Sequence, residues 1–180
     1  MIDLRKKSLP DTITVDGRDY LIKTDFRDWI KFSDLIETNR PLSEYLYLMV
    51  DDIPLSNFYP QLYEFYVNPN ATPKATGSDK ERYIDYIEDG EYIVAGFMQA
   101  YGIDLTKCDI HWHLFKALFV GLPDDTKIKQ IMSMRAYKKD NKSYEAKCEE
   151  LKKIWKLPQR NYKEAIEEAN QLFYGAVMRK

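Results

Sequence analysis

The chain has 180 residues, with 27 Lys+Arg against 29 Asp+Glu and a formal net charge of −2, so no chain-wide attraction draws it to nucleic acid or to an anionic membrane. That length lets one domain bury roughly 70% of the surface its unfolded form exposes, which removes any need for disulfide or metal staples. Two cysteines, Cys108 and Cys148, lie outside any Cys-x-x-Cys spacing, no apolar signal segment follows Arg5-Lys6-Lys7, and the longest apolar run, Leu114 to Leu122, is broken by Lys116 far short of the ~20 residues of a membrane helix. A soluble, cytoplasmic protein with reduced thiols and no membrane partner is expected.

Thr12-Ile13-Thr14-Val15 and Tyr20-Leu21-Ile22 alternate around Asp16-Gly17, the dipeptide that supplies the positive φ angles of a type I′ turn, and predict an N-terminal hairpin. Thr24 or Asp25 then caps a helix with Phe26, Trp29, Ile30, Leu35 and Ile36 on its apolar side, ending near Asn39 before Pro41. Two short helices are predicted next, one from Pro41 carrying Tyr45, Leu46, Met49 and Val50, the other from Pro54 carrying Phe58, Leu62, Phe65 and Tyr66 with a kink or boundary at Pro60. Asp51-Asp52 ahead of Pro54 and Asp124-Asp125 after Pro123 read as helix start signals rather than as an acid–base pair. Residues 68–79 contain two prolines, one glycine and almost nothing to bury, and are expected to form an exposed loop.

Beyond the loop, Asp89 is expected to cap a helix from Gly90 to Tyr101, with Gly102 at its C′ position and apolar residues around nearly the whole cylinder. The small Ala95 and Gly96 suit a close approach by a neighbour. A second helix of the same kind is expected from Asp109 to Val120, closed by Gly121. These two would form the core, with Ile93, Phe97, Trp112, Phe115 and Leu118 inside it. Amphipathic helices from about Asp125 to Tyr137 and from Ser143 to Leu157 would cover them, the latter through Tyr144, Cys148, Leu151 and Trp155. After Pro158, Asn161 caps a last predicted helix whose stripe, Tyr162, Ala165, Ile166, Ala169, Leu172, Phe173, Ala176 and Val177, lies opposite Lys163, Glu164, Glu167 and Glu168. The expected architecture is one mainly α domain over residues 1–180: hairpin and helices to 67, loop 68–79, helical core 80–158, and a C-terminal amphipathic helix 159–180.

Catalysis finds no support in the residues: there is no Gly-x-Ser-x-Gly turn, Walker loop or Rossmann glycine pattern, and the protein is expected not to be an enzyme. Cys108, Asp109, His111 and His113 are metal-ligand types, but positions i and i+2 of a helix point ~200° apart, so the two imidazoles cannot chelate one ion. No metal or cofactor is expected. His111 is read instead as a core histidine bonded to a carbonyl or carboxylate, and His113 as facing the surface or a neighbouring element. Lys127, Lys129, Arg135, Lys138, Lys139 and Lys142 form a basic stretch read as a solvated face more readily than as a nucleic-acid site. Arg135 is the exception, expected to pair with an inner carboxylate such as Asp104.

The segment from Arg82 to Pro158 carries a resemblance. Asp89, Tyr92 and Ile93, the run Phe97 to Leu105 (FMQAYGIDL), His111-Trp112 with Phe115, Leu118 and Leu122-Pro123, and Arg135 resemble a small protein family of tailed phages and prophages of Gram-positive bacteria. Its members are encoded between the major tail protein and the tape-measure protein, where tail-assembly chaperones usually lie. This sequence has His113 where the family usually carries a second aromatic, and Met134 where it carries a Tyr. The resemblance implies a stoichiometric assembly chaperone in the bacterial host cytoplasm, with the tape-measure protein as partner and the tail tube protein as a second candidate. A structural tail component and a nucleic-acid-binding or regulatory phage protein are the alternatives. With 14 Tyr, 8 Phe and 3 Trp there are more aromatics than two buried helices absorb, which suits an interface. The C-terminal stripe, in particular Tyr162, Ile166, Ala169 and Phe173, is the candidate partner-binding element.

Overall fold

A computed structural model describes residues 2–37, 40–67, 82–137 and 145–158. Mainly helical structure follows a small two-stranded antiparallel sheet, in the order β1 (Thr12–Val15), β2 (Arg18–Leu21), α1 (Phe26–Glu37), a 3-10 helix (Leu42–Leu48), α2 (Tyr59–Val67), α3 (Gly90–Tyr101), α4 (Trp112–Val120), α5 (Lys127–Ala136) and α6 (Glu145–Ile154). These described residues divide into two compact units. One takes the N-terminal residues to Pro10, Thr24–Phe26 and Tyr66 to Leu157; the other takes Asp11–Lys23 and Arg27–Phe65.

In the smaller unit the hairpin forms as its turn chemistry dictates. Thr12 pairs with Leu21 and Val15 with Arg18, and Asp16 and Gly17 both take positive φ, 50° and 79°. Alternation along β1 buries Ile13 and Val15 and exposes the two threonines. Beyond β2, Ile22 bridges to Met49, and Val50 N–H donates to the Leu21 carbonyl at 3.1 Å, so the chain after the 3-10 helix runs beside the hairpin. The core here is aromatic: Trp29 meets Phe32 edge-on at 5.1 Å and Phe65 at 4.6 Å, while Phe32 also meets Tyr45. The Trp29 indole N–H donates to the Lys23 carbonyl at 2.9 Å, so the buried ring leaves no orphan donor.

Two of the expected short helices differ. The segment from Pro41 tightens to a 3-10 helix ending at Leu48, with Met49 already extended. No helix starts at Pro54. Instead α2 begins at Tyr59, where Asn57 Oδ1 accepts from the Tyr59 N–H at 3.1 Å, and Pro60 sits in the first turn, where a missing N–H leaves no intrahelical bond unmade.

In the larger unit Phe97, Phe115 and Phe26 stack in succession, Phe97 on Phe115 at 5.2 Å and Phe115 on Phe26 at 4.7 Å. Gly102 closes α3 in the left-handed region at φ 65°, its N–H bonding back to Met98, as the C′ glycine predicts. Gly96 faces α5: a Cβ there would stand 3.3 Å from Ile128 Cγ2 and 3.4 Å from Leu122 Cδ1, so its missing side chain sets the α3–α5 spacing. Helix α4 starts three residues later than expected, at Trp112. Residues 109–111 are held extended because Phe26 N–H donates to Ile110 O at 2.9 Å and Trp112 N–H to Thr24 O at 2.7 Å. Neither α3 nor α4 is buried all round: Met98, Tyr101, Leu114 and Val120 are exposed.

Candidate interaction surface

Two buried carboxylates organise the entry to α3. Asp85 turns the chain by accepting from the N–H groups of Ile87 and Glu88 and pairing with Arg82. Asp89 stands at the N-cap position of α3 but makes no side-chain capping bond. Its Oδ2 accepts from the Asp85 N–H at 2.9 Å, and both its oxygens accept from Arg135. Arg135 also donates to the carbonyls of Tyr83 at 3.0 Å and Trp155 at 2.6 Å, so one guanidinium ties α5 to the 83–89 turn and to the end of α6. This corrects the expected partner. Asp104 spends its carboxylate on its own turn, accepting from Thr106 and Lys107, with the Thr106 hydroxyl first among the bonds that hold its pKa at about 2.

The cluster of ligand-type residues is also spent on structure. His111 caps α4: its Nε2 lies 2.8 Å from the Pro10 carbonyl, which can only accept, so the proton sits on Nε2 and the bare Nδ1 accepts from the His113 N–H at 3.0 Å. One neutral tautomer satisfies both contacts. His113 is buried in α4 rather than facing the surface. Cys108 donates to the Asp104 carbonyl. Among the described residues no group of three or more His, Cys, Asp or Glu side chains is arranged to hold an ion.

Lys116 was legible in sequence only as an interruption of an apolar run. The structure places its ammonium in an aromatic corner, 5.1 Å from the Trp112 ring centroid and 5.8 Å from that of Tyr66, donating to the Tyr66 carbonyl. The Trp112 indole N–H donates to the same carbonyl at 3.0 Å, filling its second lone pair. Burial is the cause that brings the Lys116 pKa down to about 8.

Of the expected core residues, Ile93, Phe97, Trp112 and Phe115 are buried, whereas Leu118 and Trp155 are half-buried. Trp155 lies edge-on to Tyr92 at 5.5 Å with Lys127 over its ring. The candidate binding residues Tyr162, Ile166, Ala169 and Phe173 fall outside the described residues, as do loop 68–79, Tyr144 and the cations Lys138, Lys139 and Lys142.

Exposed large apolar side chains occur in both units, among them Leu4, Tyr63, Val67, Ile87 and Ile154. On α3 and α4, Met98, Tyr101, Leu114 and Val120 reach solvent, and the Tyr101 hydroxyl joins the two helices by donating to the Leu118 carbonyl at 2.9 Å. In the smaller unit Val50, Ile53 and Leu55 are exposed on the segment after the 3-10 helix. The sequence signal for this second set was present in Asp-Asp-Ile-Pro-Leu, but the acidic pair reads locally as a helix start.

The chain matches the Bacteriophage Gp15 protein family over residues 6–159, most of its length, and it belongs to that family. The match takes in the hairpin and first helices as well as the region from Arg82 onward. No curated protein and no solved structure matches it. Among the described residues no helix is long and apolar enough to cross a membrane.

Proposed function

We propose that this phage protein is a tail-assembly chaperone, which binds apolar segments of the tape-measure protein stoichiometrically in the host cytoplasm until tail-tube subunits polymerise around them. The observation that carries the reading is that the central helices α3 and α4 expose large apolar side chains, Met98, Tyr101, Leu114 and Val120, while Phe97 and Phe115 of the same helices are buried and stacked. A long helical tape-measure protein exposes apolar stripes that self-associate, and a helical protein with apolar surface of its own satisfies them reversibly. Phage family membership and the resemblance to proteins encoded just ahead of the tape-measure gene support the same reading. No catalytic step and no cofactor enter it.

The nucleic-acid alternative loses ground at α5. Arg135 is buried against Asp89 and so is withdrawn from any surface site, while Lys127 lies over Trp155 and Lys129 donates to the Val120 carbonyl at 3.0 Å. A structural tail component uses the same apolar surface, and the two readings separate on the finished particle.

Co-expression with the tape-measure protein of the same phage is the first test: the chaperone raises the fraction of that protein in solution, and no effect sinks the reading. Mass spectrometry of purified virions is the second. A chaperone is absent from them, whereas a tail component is present in fixed copy number.

A further inference from the structure

Helix α6 is attached to the larger unit differently from its neighbours. Helices α3, α4 and α5 each bury apolar side chains completely, Phe97, Phe115 and Ile131 among them, whereas no described side chain of α6 or of its tail to Pro158 is buried. Cys148, Leu151, Trp155 and Leu157 reach only half-buried positions.

Three contacts meet at Trp155. Its ring lies edge-on to Tyr92 at 5.5 Å, the Lys127 ammonium stands 4.9 Å from the ring centroid, and its carbonyl accepts from Arg135 Nε at 2.6 Å. The Trp155 N–H bonds back to the Leu151 carbonyl at 3.0 Å, so the ring is carried on the last turn of the helix. Nearer its middle, Lys152 donates to the Tyr137 carbonyl at 3.1 Å.

Letting go of α6 strands no buried charge. Arg135 gives up one acceptor but keeps both Asp89 oxygens and the Tyr83 carbonyl, so its guanidinium stays paired. Water can take over the Trp155 carbonyl and the two lysines. A segment with few buried apolar contacts and replaceable hydrogen bonds opens at a fraction of the free energy of global unfolding. Because the main contacts meet at one residue, their loss frees the helix as a unit.

We propose that α6 is a releasable strap: residues 145–157 detach together while α3, α4 and α5 stay folded. Trp155 is the key of the closed state, and opening uncovers the Tyr92 ring and the Arg135 Nε donor. The strap stands or falls independently of the chaperone reading.

Hydrogen–deuterium exchange of the full chain at neutral pH tests it, comparing the unaltered chain, Trp155→Ala and Trp155→Phe. In the unaltered chain the amides of α6 are protected relative to an unstructured peptide, yet exchange roughly a hundredfold faster than those of α3 and α4. Trp155→Ala abolishes the protection of α6. The amides of α3 and α4 then lose no more than the factor that α6 gave up, since closing the strap adds only that much to global stability. Trp155→Phe keeps a ring for Tyr92 and Lys127 and recovers part of the protection.

Exchange of α6 at the rate of α3 and α4 in the unaltered chain overturns the proposal, because the helix then opens only with the whole. So does an α6 without protection in the unaltered chain, which has no closed state to release. Trp155→Ala overturns it by leaving α6 as protected as before, or by bringing α3 and α4 down to the level of α6. A Trp155→Phe variant as unprotected as the alanine one removes the ring as the key.

Discussion

Arg135 grips Asp89 with two parallel hydrogen bonds, 2.6 and 2.8 Å long, across 46 residues of sequence, with both side chains almost fully withdrawn from water. A buried pair of this kind adds little relative to a well-packed apolar substitute, but removing one partner strands the other charge. Arg135→Ala is therefore expected to destabilise the protein by about 3–5 kcal/mol in urea denaturation, since it orphans Asp89 and also leaves the Tyr83 and Trp155 carbonyls without their donor. Asp89→Asn should also destabilise: its single oxygen can keep the Asp85 N–H bond, but its NH2 then faces an Arg135 donor and the buried guanidinium loses its counter-charge. An Arg135→Ala variant as stable as the parent would remove the clamp from the account.

Gly96 tests the α3–α5 approach with opposing effects. Gly96→Ala gains about 1 kcal/mol of helix propensity but brings a Cβ to 3.3 Å from Ile128, so a nearly neutral result is expected. Gly96→Val keeps only a small part of that gain. It drives branched methyls into Ile128 and Leu122 and should cost about 1–3 kcal/mol, read from the denaturation midpoint.

The two tryptophans of the larger unit should separate by burial. Trp112 is buried, stacks on Tyr66 at 5.3 Å and donates its indole proton, so Trp112→Ala is expected to cost about 3–5 kcal/mol. Half-buried Trp155 should cost clearly less on truncation. Equal losses would contradict the placement of α4.

Lys116 gives stability a pH dependence of definite sign. Its folded pKa, about 8, lies below the ordinary lysine value of 10.5, so between those values the unfolded chain binds more protons than the folded one. Stability should therefore rise as pH climbs from about 8 towards 10. Above that, ionisation of tyrosines opposes the rise, because burial raises the Tyr86 phenol in the fold and the unfolded chain ionises first. Lys116→Met should flatten the melting temperature over the pH 8 to 10 window. A parent protein whose melting temperature is flat there would show that the ammonium is well solvated.

Local signals were enough to place the hairpin turn at Asp16-Gly17, the C′ glycine at Gly102 and the small residue at Gly96, because in each case one backbone requirement selects one residue type. What sequence left hidden depends on distant partners. Residues 109–111 have the capping aspartate and apolar neighbours of a helix start, yet Thr24 and Phe26 capture their backbone groups and delay α4 to Trp112. Arg135 chose Asp89 over Asp104 because Asp104 is satisfied within three residues by Thr106 and Lys107. The stretch around Ile53 and Leu55 is another case: the Val50–Leu21 backbone bond and the contacts of Asp52 with Arg18 and Ser56 with Asp16 lay it beside the hairpin instead of in the helix its acidic pair suggests.

The proposed binding role of the C-terminal stripe is tested by truncation. Tyr162 to Val177 follows Pro158, which cannot continue a helix, and all of it lies past the end of the family match at residue 159. An appended binding element placed there can be removed without emptying a core. Deleting residues 159–180 should then leave a protein that unfolds cooperatively and stays in solution, but that keeps less co-expressed tape-measure protein soluble. If the stripe packs into the protein's own core, the same deletion lowers the melting temperature sharply or causes aggregation, because a face rich in Ile166, Leu172 and Phe173 leaves its former contacts exposed. A stable truncation that still solubilises the tape-measure protein places the whole contact on residues 1–158, where Ile53, Leu55 and the α3–α4 surface already stand exposed.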